Sequence, residues 1–276
     1  MKSIIEFGAI FVVGILNHMI GAFFYSKRAD FQKSFTATEN LLRYWVGAIS
    51  GILVVLLVAL NQPNGLASIG IITNVNAMNE KNPVFIGIIS ISFYIIILAG
   101  IQRLVNYFRK IPPENKIDLS NPAVSGLFQY QSKLERLAYL TVLPFIVISE
   151  DLIYRGYLVL MLGNRTDTYL PWIFLSVVLS VIIHLYQGRK VSYLLFQATA
   201  ALLFISLTLW TGNIFTPIIA HLYYDILWTL GVWKKENNIT TQTVIHSKGK
   251  SFAYTVFIAA NLLLLLVSLM AVSYVG

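Results

Sequence analysis

The sequence predicts an all-α protein, a polytopic transmembrane helical bundle of about eight spans with both termini outside. Three observations carry this reading. Of 276 residues, 57% are apolar and only 12% charged, whereas soluble chains carry about 25% charged residues. The apolar residues gather into segments close to the roughly 17–25 residues that a spanning helix needs. None of these segments alternates with the period of two found in barrel strands, which leaves helices as the way to satisfy the backbone in lipid. The same composition excludes a disordered chain. The absence of cysteine excludes disulfides, thiolate nucleophiles and Cys-ligated zinc.

The predicted spans cover residues 4–25, 44–60, 84–101, 137–162, 170–186, 191–210, 214–233 and 252–275, the second and fifth being short. The first is read as a helix rather than a signal peptide. Only Met1–Lys2 precedes it, Glu6 falls early, and no small-x-small cleavage site follows. Sixteen of the twenty Lys and Arg residues fall in the first, third, fifth and seventh connections. Lys2, Lys81 and Arg165 fall on the opposite side, and Arg155 lies inside a span. Positive residues concentrate on the cytoplasmic side, so the odd connections are predicted to face inward. The net charge of +8 is therefore read as topology and contact with membrane lipids, with no nucleic-acid partner. In the third connection, Asn121-Pro122 has the form of a helix start, and Val124, Leu127 and Phe128 fall on one face. A short interfacial helix and a plain cytoplasmic loop both fit it. There is no internal repeat of the kind found in inverted-repeat transporters.

Ionisable groups inside a span are costly and mark functional sites. Here they gather in the fourth span (Glu150, Asp151, Arg155), the fifth (His184) and the seventh (His221, Asp225). Asp151 and Arg155, four apart with the acid first, are placed to pair on one helix face. Their pairing leaves Glu150, about 100° around the helix, as the carboxylate available for proton transfer. His221 and Asp225 are also four apart, so the carboxylate can orient the imidazole. Asn213 suits the N-cap of the seventh helix, and Pro217 falls in its first turn. Taken singly, each pair also reads as a structural ion pair or an interhelical polar clamp. Glu6 and His18, in the first span, lack a neighbouring motif and are read as structural or solvent-reaching.

The segment "EDLIYRGYL" resembles the Glu-Glu-x-x-x-Arg motif of the CPBP intramembrane proteases, a family that includes the CAAX prenyl endopeptidases and bacteriocin-processing or immunity proteins. "SVIIH", ending at His184, resembles the second motif of that family, Phe-x-x-x-His. "HLYYD", from His221 to Asp225, resembles the third, His-x-x-x-Asn or Asp. Asp151 replaces the second glutamate, and Ser180 stands where the family usually has phenylalanine. The composition suits a single integral membrane domain, residues 1–276, and the resemblance, which covers 137–230, implies a catalytic core there. It also implies a multi-pass protein of the cell membrane that cleaves a peptide or lipidated protein. In this reading Glu150 and His184 activate a water, His221 with Asp225 stabilises the oxyanion, and Asp151 and Arg155 hold the helix. No cofactor is expected, although two histidines and a carboxylate are also a zinc donor set. A non-catalytic scaffold or immunity protein and a proton-coupled transporter are the rival readings.

Overall fold

A computed structural model describes residues 2–16, 37–71, 82–108, 127, 130–185 and 191–236. Every element among them is helical. Helix α1 covers Lys2–Ile10 and continues in π-helical form over Phe11–Leu16. Helix α2, Ala37–Leu60, is followed by a 3₁₀ turn at Gly65–Ile69, and α3 covers Pro83–Phe108. Helix α4 begins at Lys133 and runs to Asp151, widens into a π-helix over Leu152–Met161, and closes as an α-helix over Leu162–Thr166. Then come α5 (Leu170–His184), α6 (Val191–Thr211) and α7 (Phe215–Glu236).

Four of these helices are long and apolar enough to cross a membrane: Ala37–Leu60, Pro83–Ile101, Lys133–Thr166 and Tyr193–Thr211. They correspond to the second, third, fourth and sixth predicted spans. The fifth is a shorter apolar helix of 15 residues. The seventh reaches 22 residues, but His221, Asp225 and its tyrosines lower its apolar content. The predicted span at 252–275, residues 17–25 of the first span, and Asn121-Pro122 lie outside the described residues. On α3, Val84, Phe85, Ile89, Phe93, Ile96 and Ile97 point outward. Such a face would be a liability in water and suits lipid.

The core is built around α4. Ile153, Tyr154, Tyr157 and Leu158 of its π-helical stretch are fully buried against Val54, Val55 and Val58 of α2 and Leu179 and Ile183 of α5. Polar contacts tie the connections together at two ends of the bundle. At one end, Glu6 pairs with Arg165 at 2.8 Å, Gln62 Nε2 donates to Glu6 Oε1 at 3.0 Å, and Ile214 N donates to Gly70 O at 3.0 Å. At the other, Trp233 Nε1 donates to Leu127 O at 3.2 Å, and the Arg136 guanidinium lies 5.3 Å from the Trp233 ring centre. Glu6 is thus a buried, paired group, which agrees with its structural reading.

Two glycines allow helices to approach closely where the polar residues lie. Gly51 of α2 rests against Ser149, the residue before Glu150, and a Cβ on Gly87 of α3 would stand 2.8 Å from the carbonyl oxygen of Thr216 on α7. Backbone cannot swing aside as a side chain can, so Gly87→Ala is expected to lower stability by about 1–3 kcal/mol, as overpacking does. Gly100→Ala on the same helix, where a Cβ meets nothing within 4 Å, should be neutral or stabilising. Thermal unfolding of both variants in lipid nanodiscs reads the difference, and equal transitions would remove the close approach from the account.

Candidate active site

The acid-bearing helix is fixed at its start by a reciprocal cap. Glu135 N donates to Ser132 Oγ at 3.1 Å, while Ser132 N donates to Glu135 Oε2 at 2.9 Å. Farther on, Pro144 removes one amide from the helical ladder. Glu150 and Asp151 stand at the point where α-helical winding gives way to π-helical winding. Departures of this kind cluster at functional sites. The Ser176 hydroxyl of α5 donates to Tyr154 O at 2.9 Å, joining the two helices within the wide stretch.

Asp151 is fully buried and joins two basic side chains of the motif set. Its Oδ1 lies 3.1 Å from Arg155 Nη1, and its Oδ2 accepts from His221 Nδ1 at 3.2 Å. Asp225 Oδ2 lies 3.7 Å from His221 Nε2, beyond hydrogen-bonding range. Same-helix spacing predicts that Asp225 orients His221. The closer contact instead comes from Asp151, because packing α4 against α7 brings together residues seventy positions apart, and same-helix spacing cannot reveal such a contact. His221 Nδ1 is therefore committed, while Nε2 makes no direct hydrogen bond to Asp225.

His184 is brought to the same place from α5. Its Nδ1 donates to Ser180 O at 2.7 Å. A carbonyl can only accept, so in the neutral ring the free lone pair lies on Nε2. Glu150 makes no hydrogen bond or ion pair to another described residue. These groups meet at a cavity of about 20 Å³, enough for one water. Glu150, Arg155, Ser180, His184, Gln197 and His221 form its polar wall, and Ala200, Ala201 and Phe204 the apolar side. Four of the six predicted site residues line it directly. Asp151 lies behind them, bonded to two of the four, and Asp225 stands beside His221.

Helix α6 supplies what the sequence reading missed. Phe204 stacks on the His221 ring with centroids 4.8 Å apart and planes at 26°, and the Arg155 guanidinium covers the Phe204 ring at 5.3 Å. Gln197 Nε2 donates to Tyr193 Oη at 2.8 Å. No Asp, Glu, His, Lys or Arg marks this helix, so no charge within a span points to it. Among the described residues, no three His, Asp or Glu side chains are placed to hold a metal ion.

Residues 132–227 match the family model described as type II CAAX prenyl endopeptidase Rce1-like. No curated protein and no solved structure matches the chain significantly. The matched segment begins at the N-cap of α4, ends within α7, and contains Glu150, Asp151, Arg155, His184, His221 and Asp225. This is a protein with helices suited to crossing a membrane, and its segment 132–227 is similar to the type II CAAX prenyl endopeptidase Rce1-like family.

Proposed function

We propose that the chain is an intramembrane endopeptidase that hydrolyses a peptide bond in a membrane-associated or lipidated peptide or protein. The observation that supports this most directly is the meeting of Glu150, His184 and His221, from three helices, around a cavity with room for one water. In this reading Glu150 accepts a proton from the water, with His184 Nε2 as a second acceptor, and the oxygen attacks the substrate carbonyl. The developing oxyanion is met by the N–H that His221 carries at Nε2 in its doubly protonated form, Nδ1–H being given to Asp151 and Nε2 not tied to Asp225 by a direct hydrogen bond. Glu150 then returns the proton to the departing amine. Asp151 positions His221 and neutralises Arg155. Asp225 adds negative charge beside the imidazole.

The proposal extends to the whole chain: one integral membrane domain with its catalytic core at 137–230, eight spans, both termini outside, set in the cell membrane in contact with lipids and binding no nucleic acid. The pairing of Glu6 with Gln62 and Arg165 supports this topology, as does the bond between Ile214 and Gly70. Each joins segments that the alternation of Lys and Arg assigns to the outer side. The reaction uses no cofactor. The test reconstitutes the purified chain in proteoliposomes with a farnesylated peptide ending in a CAAX sequence, products being identified by mass. Cleavage that survives EDTA is expected. Cleavage lost with EDTA and restored by zinc would replace the water-and-carboxylate scheme with a metal. Intact peptide, set against unaltered biological function on replacing Glu150, would favour a scaffold.

A further inference from the structure

Ser180 is buried at 5% exposure and lies one helical turn before His184, so the two side chains share a face of α5. A buried serine within a helix commonly donates to the carbonyl four residues back. The Ser180 hydroxyl does not, and it has no hydrogen-bond partner among the described residues although it lines the cavity. Leaving such a group unpaired is unfavourable. The cavity of about 20 Å³ exceeds the roughly 10–15 Å³ that one water requires.

The other wall groups determine how that water is held. Glu150 offers only acceptor atoms when ionised, and His184 offers the Nε2 lone pair because its Nδ1–H is given to Ser180 O. A water that donates both hydrogens to these acceptors needs a donor for one of its lone pairs. Gln197 Nε2 gives one of its two hydrogens to Tyr193 Oη, and it projects from α6 rather than from the helix that carries His184. Arg155 Nε is also unpartnered among the described residues, but its guanidinium is held at Asp151 and over Phe204. Ser180 stands on the same helix face as His184.

We infer that the Ser180 hydroxyl is the third ligand of the cavity water, donating to one lone pair and leaving the other aimed at the substrate carbonyl. No proton is transferred from Ser180; it orients the nucleophile, and the proton taken from the water goes to Glu150. The kinetic consequence rests on the endopeptidase reading, whereas the water site stands without it.

The test uses the full chain in nanodiscs, as wild type, Ser180→Ala and Ser180→Thr. A structure at a resolution that shows ordered water should place one about 2.5–3.0 Å from Ser180 Oγ, shared with Glu150 and His184, and absent or displaced in Ser180→Ala. With the farnesylated peptide, Ser180→Ala should lower kcat about tenfold at unchanged KM, as loss of one hydrogen bond in the transition state would. Ser180→Thr should recover most of it, and equal thermal transitions would show that the fold is kept. A wild-type cavity with no water on Ser180 overturns the inference, as does full kcat in Ser180→Ala. A wild type that holds this water but leaves the peptide intact upholds the water site and overturns the endopeptidase reading.

Discussion

A Glu150→Gln variant is expected to lose roughly 10²–10⁴-fold in proteolytic rate, the range for removal of a general base, while its thermal transition stays at the wild-type value. Glutamine matches glutamate in size and still offers a carbonyl oxygen to the cavity water, but it cannot take a proton. Stability is expected to hold because, among the described residues, Glu150 makes no ion pair or hydrogen bond for the change to break. The measurement is initial cleavage rate in proteoliposomes alongside thermal unfolding of the same preparation. Wild-type turnover in Glu150→Gln would remove this carboxylate from the chemistry.

Asp151→Ala should fail in the opposite manner, losing stability together with activity. The carboxylate is fully buried between Arg155, itself 4% exposed, and His221. Removing it strands a guanidinium in the core, and breaking such a buried pair costs about 3–5 kcal/mol. It also frees His221 to rotate on its Phe204 stack, so any properly folded fraction should turn over poorly. Asp151→Asn keeps an acceptor for His221 Nδ1–H without the charge and is expected to fall between the two. Thermal unfolding and turnover per folded molecule separate the effects. An alanine variant as stable as wild type would show that Arg155 finds another partner.

The contrast between these neighbours shows what spacing could and could not reveal. The Asp151–Arg155 pair was legible because four residues on one helix fix a distance, and it is present at 3.1 Å. The Asn213 cap was legible for the same local reason: Phe215 N donates to Asn213 Oδ1 at 2.9 Å. The second, third, fourth and sixth spans were legible as apolar runs. The bond from His221 to Asp151 was not, since it depends on how α7 lies against α4. Glu6 was placed among structural groups without its partner Arg165, because the two meet only when α1 and α4 pack together. Gln197 and Phe204 give no warning in the sequence, where an amide and an aromatic ring are ordinary content for a helix in lipid. Ser180 could be read only as a missing phenylalanine until the cavity beside it was visible.

The wide winding over Leu152–Met161 also changes what kind of object α4 is. Turns closed by bonds five residues apart hold more residues than ordinary turns, so side-chain bearings drift away from the usual helical phase as this stretch is crossed. The 34-residue rod from Lys133 to Thr166 is therefore two rods on a common axis, each with its own angular setting. Glu150 can face the water at one bearing while Arg165 meets Glu6 at another, and neither alignment dictates the other.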